Sequence, residues 1–331
     1  MMNKKALILG AGGQDGRIIS ELFVSSNVHV TCVSSRDFLD NSSRLYKINY
    51  SWPLSRKADF LESILFETSF DYIVDFSSYN KPYSQVGWHS SREALDSVLY
   101  IPHFILKCLS KCEYKPNTFF CGSAHQYQPS EDCITSITEA TISNPRNEYG
   151  LYKELLRRAC NYYRQMYSLP ISFGILFNHD SCYRDSNYLL PRLVAATHKS
   201  FISADVSHFI SFLGDFKNNF AFDLSDARDI CFDIYTILLN NYSEDFILSS
   251  GQLTSFHDLC SICLEEVFEY LDASSPILCK LRSLLDDHLL GDSSKATIAG
   301  LKGDNSKVCS IYQRLPRTPR EILSSMIISC A

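Results

Sequence analysis

The sequence predicts an α/β fold: a Rossmann-like, doubly wound parallel sheet with a smaller C-terminal substrate lobe. Three observations carry this reading. The apolar run Lys5–Leu9 enters a glycine-rich turn and is followed by apolar residues at helical spacing. Strand-like and helix-like segments then alternate through residue 177, and such alternation builds a parallel sheet. Finally, 331 residues with 45% hydrophobic and 21% charged side chains, 13 Gly and 11 Pro form a globular chain, which excludes disorder and collagen-like repeats. At roughly 150 residues per domain, the length suits two lobes.

Taken in order, Lys5–Leu9 reads as a strand, residues 10–16 as the turn, and Ile18, Ile19, Leu22 and Phe23 as one face of a helix. Residues 28–33 make the second strand, so the first 35 residues form a βαβ unit. A strand over 71–76, a helix over 94–111, a strand over 118–121, a helix over 148–167 and a strand over 171–177 continue the pattern. Ligands of such sheets bind beyond the carboxyl ends of the strands. Past Asn178 the alternation loosens into helices over 187–199 and 225–240 and a strand over 246–249. An amphipathic helix over 254–271, with Thr254 or Ser255 as N-cap, and a closing helix over 319–329 complete the chain. The similarity between 290–295 and 302–307 reflects turn chemistry rather than a repeat architecture.

A net charge of −6 and no useful Lys/Arg run exclude nonspecific nucleic-acid binding. A few local arginines still suffice for a small anion. The longest apolar runs, such as 171–177, fall short of the ~18 residues a membrane span needs. Residues 1–9 carry no signal-peptide pattern, so a cytoplasmic location is expected. The 13 cysteines then read as reduced thiols. Cys260 and Cys263 form a CxxC inside an apolar helical pattern without a second ligand pair, a structural position rather than a metal site, and no metal is expected.

Gly10, Gly13 and Gly16 satisfy GxxGxxG, whereas GxGxxG would need Gly where Asp15 stands. Between a strand and a helix, glycines at these turns let the backbone approach a pyrophosphate at the helix N-terminus, which points to a dinucleotide. At the end of the second strand stand Ser34, Ser35 and Arg36, with the first acid only at Asp37. An Arg there accommodates a 2′-phosphate, so NADP is favoured over NAD. Tyr149 and Lys153 form YxxxK on one helix face. A cation beside a phenol favours the phenolate, which can exchange a proton with a substrate hydroxyl. Ser123, just past the strand over 118–121, is placed to polarise the same oxygen.

Together these residues resemble the extended short-chain dehydrogenase/reductases, and among them the GDP-mannose 4,6-dehydratase family. Gly13-Gln14-Asp15-Gly16 resembles its GQDG signature, Pro145-Arg146-Asn147-Glu148-Tyr149 its segment before the catalytic Tyr, and residues 174–181 its GILFNHES stretch. The likeness spans almost the whole chain. It implies an NADP-binding domain over 1–177, to which 205–245 returns, and a nucleotide-sugar lobe over 178–204 and 246–331. It further implies a nucleotide-diphospho-sugar substrate, NADP reduced and reoxidised within one turnover, and a homo-oligomer.

In that family a hydride leaves the sugar C4, a base takes the C5 proton, water departs from C6, and the hydride returns to C6. The resemblance assigns catalysis to Ser123, His125, Tyr149 and Lys153. It assigns the cofactor to Gly10, Gly13, Gln14, Asp15, Gly16, Arg36, Asn49, Phe76, Ser77, Ser78, Tyr149 and Lys153, with His179 and Arg184 reaching a neighbouring cofactor in an oligomer. Asn178 and Arg192 fall to the substrate, and Asn219 stands where the family has an Arg. His125 replaces the family's Glu base. It can act as an alternative base, mark an enzyme that only reduces or epimerises a keto-sugar, or be a plain loop residue. Two rivals to a dehydratase follow: an NADPH-dependent 4-keto-sugar reductase or epimerase of the same fold, and a non-catalytic NADP-binding partner protein.

Overall fold

The computed structural model describes residues 4–36, 44–49, 51–78, 92–129, 134–216, 220–271, 275–290 and 300–330. Asp37 and Asn219, singled out above, lie outside the described residues. Two compact units are present, and neither is contiguous in sequence.

The first unit comprises 1–128, 139–176 and Ala227–Leu248. It opens with β1 (Lys5–Leu9), α1 (Gln14–Ser25), β2 (His29–Ser34), β3 (Arg44–Lys47), α2 (Leu54–Glu67) and β4 (Tyr72–Asp75). One helical run follows, α3 (Arg92–Leu95), a π turn (Asp96–Tyr100) and α4 (Ile101–Leu109), then β5 (Asn117–Cys121) and a 3₁₀ turn (Ala124–Gln126). After β6 (Ile134–Ile137), which belongs to the other unit, come α5 (Glu148–Tyr167) and β7 (Ile171–Leu176). With β10 (Asp245–Leu248) at one edge, the seven-stranded sheet runs β10-β7-β5-β4-β1-β2-β3, with all its pairs parallel. Its order reverses beside β1, the place where a doubly wound sheet opens a crevice for a ligand. Leu7, Ile8 and Leu9 are buried because helices cover both faces of a parallel sheet.

The second unit comprises 129–138, 177–226 and 249–331. It holds β8 (Asn178–Asp180), α6 (Leu189–Ser203), α7 (Ser207–Leu213) and β9 (Ala221–Asp226); the next two elements, α8 (Ala227–Leu239) and β10 (Asp245–Leu248), go back to the first unit. The chain finishes with β11 (Leu253–Ser255), α9 (Phe256–Tyr270), α10 (Ser275–Leu290), β12 (Gly300–Gly303), α11 (Ser306–Cys309) and α12 (Pro319–Cys330). Ser255 caps α9 by accepting from the Asp258 N–H at 3.0 Å. Cys260 and Cys263 are buried in the apolar core between α6, α9, α10 and α12, with the Cys263 Sγ donating to Thr197. Burial pushes the Cys263 thiol up to about 12, the state of an inert structural cysteine. Among the described residues no three His, Cys, Asp or Glu side chains gather to hold a metal, and no helix is long and apolar enough to cross a membrane.

The return to the first unit is Ala227–Leu248 rather than 205–245, because α7 packs on α6 and β9 is hydrogen-bonded between β8 and β11. β6 leaves the first unit because it pairs in parallel with β12. A buried carboxylate organises the second unit. Asp223 accepts from the Ser250 N–H and Oγ at 2.8 and 2.6 Å and from the Gly251 and Gly303 N–H groups at 3.1 Å each.

One contact in the first unit fixes the end of β5 against α5. A Cβ on Gly150 would lie 2.0 Å from the His125 carbonyl oxygen, so only glycine admits this approach. Gly150 sits in the first turn of α5, where alanine ordinarily gains up to ~1 kcal/mol over glycine. Here the collision reverses the sign: Gly150→Ala is expected to destabilise the protein by about 1–3 kcal/mol, read as a lowered unfolding midpoint.

Candidate active site

The turn between β1 and α1 is built from glycines with different duties. Gly10 has φ +75°, and a Cβ on it would meet the Phe76 carbonyl oxygen at 2.5 Å. A Cβ on Gly16 would strike Gly10 O at 2.4 Å, so this glycine lets α1 pack on the turn. Gly13, the N-cap of α1, differs: among the described residues its Cβ would find only Gly10 O, at 3.3 Å. The described residues therefore leave the space over the first turn of α1 open, as a pyrophosphate cradle requires, and the dipole there favours an anion. Gly12 was missed by the motif reading. Its Cβ would lie 2.4 Å from the Ser34 Oγ, and that hydroxyl accepts from the Arg36 N–H at 3.0 Å, tying the turn to the end of β2. Gln14 is buried and donates to Asp15 at 3.1 Å, while the Asp15 carbonyl accepts from the Cys231 Sγ on α8.

Arg36 and Asn49 are exposed at the ends of β2 and β3. The Asn49 Oδ1 accepts from the Ser51 N–H and hydroxyl at 2.9 and 2.8 Å. Past β4, the Phe76 N–H bonds Leu9 O at 2.9 Å, and the Ser77 N–H and Oγ bond the buried Asp75 at 2.8 and 2.5 Å. Burial raises the Asp75 carboxyl, opposed by Ser77 and by the charge of Lys153.

Lys153, Tyr149, Ser123 and His125 are gathered by α5 and the end of β5. Lys153 is 2% exposed and donates to the Ser78 Oγ at 2.5 Å and the Cys121 carbonyl at 2.6 Å, which fixes its head. Its Nζ lies 5.6 Å from the Tyr149 ring centroid. Burial lowers the ammonium, and the groups at Cys121 and Asp75 partly restore it. Ser123 caps the 3₁₀ turn by accepting from the His125 N–H at 3.2 Å, while Gln126, 0% exposed, accepts from the Ser123 N–H at 2.9 Å and donates to Glu154 at 3.1 Å. The glutamine thereby clamps the Ser123–His125 turn onto α5.

His125 stands edge-on to Tyr149 with centroids 5.7 Å apart. Its Nδ1 is 3.0 Å from the Nδ2 of Asn147, the N-cap of α5. Burial first, and the charge of Arg146 second, push the imidazole down to about 4. Asn147 is a second residue that motif reading passed over; its place just before the helix was the available signal.

The remaining expected residues lie in the second unit. Asn178 is exposed on β8, and the His179 Nδ1 donates to Phe177 O at 2.7 Å. Arg184 pairs with Asp180 at 2.8 Å and stacks 3.8 Å over the Tyr188 ring. Arg192, on α6, pairs with Asp215 and lies 5.7 Å from the Phe212 ring centroid. Both arginines thus carry carboxylate partners from their own unit.

The family model of GDP-mannose 4,6 dehydratase matches residues 7–296. GDP-mannose 4,6 dehydratase 2 of Caenorhabditis elegans is 22% identical over 286 residues, which cover 81% of this chain and 72% of that protein. Among solved structures, dTDP-glucose 4,6-dehydratase of Bacillus anthracis in complex with NAD superposes with a TM-score of 0.70 at 14% identity, covering 99% of this chain and 96% of that one. UDP-glucuronic acid 4-epimerase of Bacillus cereus, in complex with UDP-glucuronic acid and NAD, gives 0.68 at 14% identity and 98% of both chains. With the family pattern matched over most of its length and a seven-stranded parallel sheet beneath it, the chain belongs to the GDP-mannose 4,6 dehydratase family.

Proposed function

We propose that this chain remodels the sugar of a nucleotide diphospho-sugar in the manner of a 4,6-dehydratase, with NADP as its cofactor. The observation that carries the proposal is the Lys153 ammonium, buried and fixed 5.6 Å from the Tyr149 ring centroid. A cation so placed favours the phenolate, so Tyr149 takes the proton of the sugar C4 hydroxyl and later returns it. The Ser123 hydroxyl assists at the C4 oxygen or the C6 hydroxyl. A bound nicotinamide supplies the acceptor and donor of the hydride. Loss of water from C6 also requires removal of the C5 proton, and His125 holds the position of the family's base.

The glycine turn fits the phosphates of such a cofactor, with Gly13 leaving room above α1. Arg36 would meet a 2′-phosphate, which supports NADP, and Asn49 and the segment Phe76, Ser77 and Ser78 would border the cofactor. In the proposal Asn178 and Arg192 serve the nucleotide sugar, and the enzyme works as a homo-oligomer in the cytoplasm.

One observation favours a second reading, an NADPH-dependent 4-keto-sugar reductase or epimerase. The Nδ1 of His125 is engaged by Asn147 at 3.0 Å, whereas reduction of a keto-sugar needs only Ser123, Tyr149 and Lys153.

Incubation of the protein with GDP-mannose and catalytic NADP is expected to yield a product lighter by one water in the mass spectrum. Tyr149→Phe is expected to cut turnover at least about 100-fold while NADP binding persists. No lighter product, with stoichiometric NADPH oxidation on a supplied 4-keto-sugar, would establish the second reading instead; inertness toward both would sink the enzymatic proposal. The cofactor site has its own test. Gly13→Ala is expected to weaken NADP binding about tenfold or more with little change in the unfolding midpoint, because its methyl enters the cradle. Gly10→Ala is expected to destabilise the fold by about 1–3 kcal/mol, read as a lowered unfolding midpoint.

A further inference from the structure

The hydrogen bond between Asn147 and His125 has a direction, and the backbone of α5 sets it. The Asn147 Oδ1 accepts from the Gly150 N–H at 2.9 Å as the N-cap. A backbone N–H only donates, so the atom facing it must be the amide oxygen. The other end of that amide is then the NH₂ group, and it lies 3.0 Å from the His125 Nδ1. An amide NH₂ only donates, so Nδ1 must accept with its lone pair, and the proton of the neutral ring sits on Nε2.

Three surrounding features hold the ring in that form. The His125 backbone is fixed on both sides, its N–H bonding the Ser123 Oγ at 3.2 Å and its carbonyl accepting from the Arg146 N–H at 3.0 Å. Gly150 presses against that carbonyl, which keeps the cap and the imidazole in register. Burial and the positive charge of Arg146 oppose a second proton on the ring.

We infer that His125 enters the site as a neutral hydrogen-bond donor through Nε2–H, held in that tautomer by Asn147 as a positioning residue, and is not a proton-abstracting base. The inference rests on the proposed function for its ligand, a hydroxyl or carbonyl oxygen of the sugar. The ring's one lone pair is spent on Asn147, so no nitrogen is left to accept a proton from carbon. It can instead orient an oxygen beside Tyr149, whose ring is 5.7 Å away. Breaking the C5–H bond, where it occurs, must then draw on a different group. The second reading, in which the sugar is reduced or inverted at C4 without loss of the C5 proton, has no such requirement.

The tautomer can be read with no substrate present. In protein labelled with ¹⁵N-histidine, with the His125 signals assigned by their loss in His125→Gln, long-range ¹H–¹⁵N correlations are expected to show the Nε2–H form from about pH 8 to about pH 5. An Nδ1–H form, or titration close to the ordinary histidine value, would overturn the inference. Asn147→Asp preserves the N-cap but offers a carboxylate, so the proton is expected to move to Nδ1 and the ring's pKa to rise. Asn147→Ser, which caps but is too short to reach the imidazole, is expected to give a mixture of tautomers in a folded protein. A supplied 4-keto-sugar in heavy water tests the role. Asn147→Asp is expected to exchange the C5 proton at least about tenfold faster than the parent, and equal rates would overturn it. The Nε2–H form in a protein inert toward every sugar would leave the tautomer standing and reject the proposed function.

Discussion

The candidate site depends on the close approach of α5 to the turn that leaves β5, and that approach depends on a missing side chain. A single methyl at Gly150 would stand 2.0 Å from the His125 carbonyl oxygen. Because the contact is closed, Tyr149 and Lys153 on the helix and Ser123 and His125 on the turn share one frame. Gln126 and Glu154 fasten the same two elements from the buried side, and Asn147 from the open one. The chemistry proposed for these residues therefore rests on packing that no catalytic motif mentions.

The same frame decides what its polar groups can do. Lys153 lies deep enough for burial to weaken its charge, yet two acceptors, Ser78 and the Cys121 carbonyl, fix its head. In the glycine turn the same logic runs in reverse. Gly10, Gly12 and Gly16 are glycine because protein atoms fill the space where a Cβ would be, and Gly13 is glycine where the described residues leave that space open. A pattern of identical residues thus separates into parts that hold the fold and a part that faces a ligand.

Much of the first unit was legible in the sequence, because its elements carry local signals. The glycine turn follows an apolar strand, and α5 runs from Glu148 to Tyr167 as its spacing predicts, with Asn147 as its cap. The elements that were not read have weak local signatures. β3 is four residues with half-buried or exposed side chains, and α2 buries only Lys57, Leu61, Ile64 and Leu65 of its fourteen. β6 and β12 exist only because they pair with each other, a long-range event that no window of sequence contains. For the same reason Tyr149 and Lys153 were visible as a motif, whereas the bond from Asn147 to His125 was not.

The four hydrogen bonds gathered by Asp223 bear on how the chain acquires its structure. The Gly303 N–H that completes the set lies 80 residues further along, and α8 and β10 of the first unit lie between. On a ribosome the carboxylate emerges well before that donor and, once buried, must wait for it with part of its hydrogen-bonding capacity unmet. β1 to β5 and β7 of the first unit, being earlier and mostly apolar, have no such wait. Completion of the second unit is thus tied to the arrival of its last strand, which makes its assembly a late and cooperative step, and neither unit can be cut out as an unbroken stretch of chain.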